Sequence, residues 1–244
     1  MSNSFAVRTE RLVKTFEGVE IIKGCTMSIP HGTIYGFLGP NGAGKTTVMK
    51  MLTGLLRPTA GRAEVLGMDV VTHRDQILRN IGAIIEVPIF YEHLSASENL
   101  SMHLAYMGAE GIDITKALSS VGLEHTGELP VSKFSMGMRQ RLGIARALIH
   151  RPKLLILDEP INGLDLMAIR DIRTLFTDLV QNHGMTILLS SHIVSEIELI
   201  ADIVGIIADG TVKLEVRLSE MKTQYPGGLE DYFIDVMSGG HEIA

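Results

Sequence analysis

A chain of 244 residues, 45% apolar and 20% charged, holds enough material for one buried core and carries none of the compositional marks of disorder. A net charge of −6 without any run of Lys and Arg argues against a phosphate-neutralising face, so no nucleic-acid partner is expected. One cysteine, Cys25, cannot form an intramolecular disulfide, and Arg8, Glu10 and Arg11 stand where a secretory signal needs apolar residues. The most apolar stretch, 185–208, is interrupted by His192, Glu196, Glu198 and Asp202, short of what a bilayer span requires. The expected place is therefore the cytoplasm, with any membrane role by association.

In chain order, Ala6–Leu12 and Ile21–Ile29 read as strands joined through the turn residues Glu17-Gly18, an antiparallel layer. Thr33–Leu38 reads as a buried strand followed by a helical run, Thr46–Leu55, and Ile81–Ile85 as a further strand. From Ser95 to Leu123 helices take over, opened by Ser95 and Glu98 at capping-box spacing. A helix over Met138–Ile149 follows, then strands at Lys153–Leu157, Met185–Ser190, Ile203–Ala208 and Val212–Val216. Most connections between Thr33 and Ala208 are long enough for helices, which predicts right-handed crossovers and a mostly parallel sheet. The segment Leu229–Met237 is amphipathic, with Leu229, Phe233 and Val236 on one face, and is expected to pack on the domain or on a second copy.

The strongest chemical signal is Gly39-Pro40-Asn41-Gly42-Ala43-Gly44-Lys45-Thr46-Thr47, which fits GxxxxGK[ST] and lies between an apolar strand and a helix. Its glycines let successive N–H groups face one phosphate chain, and the helix N-terminus adds partial positive charge. Lys45 would reach the β- and γ-phosphates of a nucleotide, and Thr46 would offer its hydroxyl to magnesium. A second signal is Leu154-Leu155-Ile156-Leu157-Asp158-Glu159-Pro160, an apolar strand ending in carboxylates at the edge where parallel sheets bind ligands. Alone, such a pair is more often a helix cap. Beside a phosphate loop, Asp158 can hold magnesium through water, and Glu159 can polarise an attacking water.

These and the remaining segments resemble those of ATP-binding-cassette (ABC) proteins, in order and spacing, across nearly the whole chain. Phe134-Ser135-Met136-Gly137-Met138-Arg139-Gln140-Arg141 resembles the signature motif, Asn162-Gly163-Leu164-Asp165 the D-loop, and His192 the switch histidine, while Phe16 stands in the place of the aromatic that stacks on adenine. Each has a bland alternative: Ser135 an ordinary N-cap, His192 a helix-opening polar residue, Phe16 a core aromatic. The resemblance implies an α/β fold of the P-loop NTPase, ABC ATPase type, with a mostly parallel core sheet, an N-terminal antiparallel β layer and an inserted α-helical subdomain. It divides one nucleotide-binding domain into a RecA-like core over about 1–87 and 134–215, a helical subdomain over about 88–133 and a tail over 216–244. It implies that Lys45, Glu159 and His192 serve hydrolysis and that Thr46, Glu86 and Asp158 face magnesium. ATP is then met by Phe16, residues 39–47, Glu86, Asp165 and the Ser135–Met138 turn. The family further implies that this turn meets the γ-phosphate of an opposite copy, so that a homodimer forms on ATP binding. Separate membrane-spanning permease subunits would hold the chain at the inner face of the membrane.

Two departures stand out. Met136 occupies a position where the signature has glycine, with Met138 where glutamine is usual, so phosphate approach at residue 136 would be tighter. Glu86 stands where the family has glutamine, adding a full negative charge beside the γ-phosphate and a stronger magnesium ligand. Glutamate here, with the Ser-Met-Gly signature and compact length, resembles cassettes of lantibiotic self-immunity and bacitracin-type resistance exporters; a neutral change is the alternative. The apolar cluster Pro88, Ile89, Phe90, Tyr91 and Leu94 fits either a docking loop for a permease helix or burial within the helical subdomain. Cassettes of other exporters (drug, lipid or polysaccharide) and soluble non-transport ABC ATPases remain alternatives, although only one cassette and no coiled-coil insertion is present.

Overall fold

The computed structural model describes residues 4–225 and 227–238. Ten strands among these residues, numbered in chain order, form two sheets. The first contains β1 (Phe5–Phe16), β2 (Val19–Pro30), β4 (Ala60–Val65) and β5 (Met68–Asp69) in the order β2-β1-β4-β5, antiparallel throughout. Its first hairpin turns on Glu17 (φ 47°) and Gly18 (φ 83°), both left-handed as a tight two-residue hairpin turn demands. The second sheet has the order β10-β9-β3-β8-β7-β6, built from β3 (Ile34–Leu38), β6 (Ile81–Ile84), β7 (Leu154–Leu157), β8 (Thr186–Ser191), β9 (Ile203–Ala208) and β10 (Thr211–Arg217). All its pairings are parallel except β9 with β10. The chain leaves β3 for the β6 edge, returns through β7 and β8, then passes to β9 on the other side of β3. The carboxyl ends of β3, β7 and β8 therefore converge at a reversal of strand order, where open α/β sheets bind ligands.

Helices cover both faces of this sheet: α1 (Lys45–Leu52), α2 (Arg74–Asn80), α3 (Ala96–Met107), α4 (Ile114–Ser119), α5 (Met136–Leu148), α6 (Leu166–Gln181), α7 (Val194–Glu198), α8 (Leu218–Gln224) and α9 (Gly228–Met237). Strand alternation divides the core in two. Leu155 and Leu157 of β7 face one cluster with Leu100, Leu118, Leu142 and Phe176. Leu154 and Ile156 face the other, with Met27, Met49 and Leu52. The helical layer begins as the spacing predicts: the Ser95 hydroxyl accepts the Glu98 N–H at 3.3 Å while the Glu98 carboxylate accepts the Ser95 N–H at 2.7 Å.

Two contacts without side-chain bulk seat α5 on β6. A Cβ at Gly82 would lie 2.0 Å from the Ala147 carbonyl oxygen, and one at Gly143 would lie 3.1 Å from Pro88. The two sheets meet through a polar unit: the fully buried Tyr35 donates its hydroxyl to Glu215 at 2.8 Å, and the same carboxylate oxygen accepts the Ser28 N–H at 3.0 Å. Gly205 makes room, since a Cβ there would stand 1.9 Å from the Tyr35 hydroxyl. The amphipathic α9 packs on the chain's own core, burying Leu229 and Tyr232, with Phe233 and Val236 beside them.

The sequence reading passed over β4 and β5, and the helix limits also shift. α1 ends at Leu52 because Thr53 turns its hydroxyl back to the Met49 carbonyl (2.9 Å) and Gly54 takes φ 68°. α5 starts two residues early, at Met136, directly after its Ser135 cap.

Candidate functional site

The loop after β3 is forced into its curl. Gly44 sits at φ 107° with Ile22 only 2.4 Å from where a Cβ would be, and a Cβ at Gly39 would meet the Ile207 carbonyl oxygen at 2.4 Å. Lys45, at the first position of α1, folds back over this loop and donates to the Gly39 and Pro40 carbonyls at 2.6 and 3.2 Å. Its side chain is 7% exposed, and its ammonium lies 3.7 Å from Glu159. Burial pulls the Lys45 pKa down, and the Glu159 and Asp158 charges oppose that shift.

From the end of β7 come the carboxylates. Asp158 accepts the Thr46 hydroxyl at 2.7 Å and the Ser190 hydroxyl at 2.6 Å. Glu159, with left-handed backbone (φ 48°), gives its N–H to the same Ser190 oxygen at 2.9 Å, and its carboxylate lies 3.0 Å from His192 Nδ1. Lys45, Thr46, Asp158, Glu159 and His192, read from separate motifs, thus form one cluster. Ser190, on the neighbouring strand β8 and given no role by the sequence, is its organiser: one fully buried hydroxyl holds both acidic residues.

The Thr46 and Asp158 oxygens meet at one point, a hard-oxygen pair that suits magnesium. Among the described residues no three His, Cys, Asp or Glu side chains gather to hold a metal by themselves. That fits a cation held by one carboxylate and one hydroxyl together with substrate phosphates and water. Glu86 is not part of this pair. At φ 61°, it sets its carboxylate 2.7 Å from Lys50, one turn along α1 from Thr46, so a cation meets the added charge.

The other sequence candidates lie apart and make no hydrogen bond to the cluster. Phe16 ends β1 with 43% of its surface exposed and the Lys14 ammonium 4.9 Å above its ring. Ser135 accepts the Met138 N–H at 3.2 Å, which leaves the Met136 and Gly137 N–H groups at the open end of α5. The Met136 side chain leans over Gly163, where an added Cβ would come within 2.8 Å of its sulfur. Asp165 caps α6 through the Ala168 N–H at 2.8 Å. Buried Gln140, also without a role in the sequence reading, donates from α5 to the Pro160 carbonyl at 2.9 Å and so ties the Ser135 turn to the residue after Glu159. The apolar cluster divides: Pro88 and Phe90 are buried, while Val87, Ile89 and Tyr91 are 77%, 82% and 54% exposed.

Known proteins resemble this chain over most of its length. Residues 22–162 match the family model described as ABC transporter. The chain belongs to the ABC transporter family. The bacitracin transport ATP-binding protein BcrA of Bacillus licheniformis is 46% identical over 90% of this chain and 72% of the relative. The lantibiotic transport ATP-binding protein SrtF of Streptococcus pyogenes is 44% identical over 86% of this chain and 90% of the relative. A solved ATP-binding subunit of an ABC transporter superposes with a TM-score of 0.86 at 26% identity, covering 95% of this chain and 99% of the other. This ABC cassette accordingly binds and hydrolyses ATP. No helix among its described residues is long and apolar enough to cross a membrane.

Proposed function

We propose that this cassette powers an exporter that removes peptide antibiotics of the lantibiotic or bacitracin type, giving self-immunity or resistance. The observation that carries the reading is the 46% and 44% identity to cassettes named for bacitracin and lantibiotic transport. Glu86 in place of the usual glutamine and Met136 in the signature support it. In the proposed cycle Phe16 stacks on adenine, the N–H groups of the Gly39–Thr47 loop cradle the phosphates, and Lys45 swings from the Gly39 carbonyl to the γ-phosphate. Thr46 and Asp158 would hold magnesium, with Glu86 reaching it after release from Lys50. Bound there, magnesium would neutralise charge developing on the phosphates. Glu159 accepts a proton from the attacking water, and His192, 3.0 Å from it, holds the attack geometry against the γ-phosphate. A second copy completes each site through its Ser135–Met138 turn, with Asp165 beside it, so ATP joins two chains.

The exposed Val87, Ile89 and Tyr91 directly follow Glu86 and form the permease-docking surface of this reading, which keeps the cassette on the cytoplasmic face of the membrane. If Glu86 reports nucleotide state to that surface, Glu86→Gln lowers protection more than hydrolysis. Phosphate release by the purified chain and survival of a sensitive bacterium carrying the whole transporter, across a peptide dilution series, measure the two. Survival falling in simple proportion to hydrolysis reduces Glu86 to a magnesium-site residue. A complete transporter that protects against no membrane-active peptide ends the immunity reading and leaves the ABC ATPase intact.

A further inference from the structure

At the opposite end of the parallel sheet from Lys45, where β7 and β8 begin, a cleft of about 800 Å³ opens between α4 and α6. Its volume lies in the range of small-molecule sites, roughly 300–1,000 Å³. Leu148 from α5, Leu175 and Leu179 from α6, and Met185 before β8 make its walls apolar. Its rim carries Lys116, Arg151 and Lys153. None of the three makes an ion pair among the described residues. The two rim carboxylates are already engaged. Asp113 accepts the Lys116 N–H at 3.1 Å as the cap of α4, and Asp178 accepts Asn182 Nδ2 at 2.7 Å and lies 3.7 Å from His183. With His31 and His183 neutral, the rim still carries one net positive charge, on a chain whose total is −6.

An apolar trough with unpaired cations at its mouth is complementary to a molecule with an apolar tail and one anionic head. We infer that this cleft binds a single-chain anionic amphiphile of the fatty-acid class, its acyl chain along Leu148, Leu175 and Leu179 and its carboxylate at Lys116, Arg151 and Lys153. The tail would fill space between the helical layer and the core, and the head would be met by charge at moderate dielectric, where each pairing is worth more than in bulk water. The inference concerns a face remote from the nucleotide loop and does not depend on what the transporter carries.

The test is titration of the intact chain, without nucleotide, with dodecanoate below the concentration at which it forms micelles, followed by calorimetry and by thermal unfolding. Saturable binding of one molecule per chain is expected, with a melting temperature that rises with ligand concentration. Lys116→Glu combined with Lys153→Glu, both exposed, weakens it by about tenfold or more by replacing attraction with repulsion. Ala117→Trp, which fills the cleft from α4, abolishes it; should that variant misfold, the double charge reversal decides alone. Dodecanol, with the same tail and no charge, binds more weakly. Absence of saturable dodecanoate binding, equal affinity for dodecanol, or undiminished binding by the charge-reversed chain overturns the inference. So does binding only to vesicles of anionic phospholipid, which would make the rim a membrane-surface patch.

Discussion

Ser190→Ala removes one oxygen from the centre of the site. The hydroxyl donates to Asp158 at 2.6 Å and accepts from the Glu159 N–H at 2.9 Å, and it is wholly buried, so water cannot replace it without moving β8 or β7. A hydrogen bond to a carboxylate contributes about 1.5–3 kcal/mol and one to a backbone N–H about 1 kcal/mol, so the loss is about 3 kcal/mol. In a chain of this size each kcal/mol moves the melting temperature by roughly 2–4 °C, giving a fall of about 6–12 °C by calorimetry without nucleotide. The same change frees Asp158 and Glu159 to turn. If half to all of the lost energy falls on the transition state, kcat drops about tenfold to a hundredfold, while ADP affinity, set by the phosphate loop, stays within about threefold. Phosphate release and ADP titration separate the two. An unchanged kcat, or equal losses in kcat and ADP affinity, would refute Ser190 as the organiser of the pair.

Glu159→Gln is expected to retain ATP, nearly stop turnover and hold an ATP-dependent dimer; light scattering that reports a monomer with and without ATP contradicts the two-copy site. His192→Ala, losing the group 3.0 Å from Glu159, cuts hydrolysis while ADP affinity stays almost constant, and parallel losses would mean a structural role. His103 Nε2 and His150 Nδ1 join α3 to the turn after α5 at 3.3 Å, and His150 Nε2 lies 3.0 Å from the Ile81 carbonyl oxygen. Burial, then the charges of His150 and Arg146, lowers the His103 pKa from 6.5 to about 4. The unfolded imidazole therefore binds a proton that the folded one refuses, and stability falls as pH drops through 6.5 towards about 4. His103→Gln flattens that part of a denaturant-unfolding series against pH; an identical slope in both proteins would discard the assignment.

What the sequence disclosed was local. The phosphate loop, the β7 run into Asp158-Glu159, the Ser95 capping box and the Glu17-Gly18 turn each rest on residues within a few positions of one another, where propensity and spacing carry the information. β4 was invisible because Ala60-Gly61-Arg62-Ala63-Glu64-Val65 has one β-branched residue and a left-handed glycine, and its pairing with β1 supplies what propensity lacks. The apolar cluster after Glu86 could not be divided from composition, since burial of Phe90 follows from packing under Arg146, whose guanidinium lies 4.6 Å from its ring. Ser190 with Asp158, Gln140 with Pro160 and Lys50 with Glu86 join residues tens of positions apart. Nothing in one sequence marks a serine among Leu188-Leu189-Ser190-Ser191 as the partner of a distant aspartate.

The Tyr35, Gly205, Glu215 and Ser28 unit has an evolutionary consequence. A methyl group at Gly205 would enter the Tyr35 ring, loss of the Glu215 carboxylate would strand the buried Tyr35 hydroxyl, and a smaller residue at 35 alone would leave a cavity. Each single replacement is disfavoured while a joint one is open, for example a smaller residue at 35 together with alanine at 205 and an uncharged residue at 215. Positions 35, 205 and 215 are therefore expected to change as a set between diverging lineages, and a protein library that randomises them together should recover folded combinations that no stepwise route passes through.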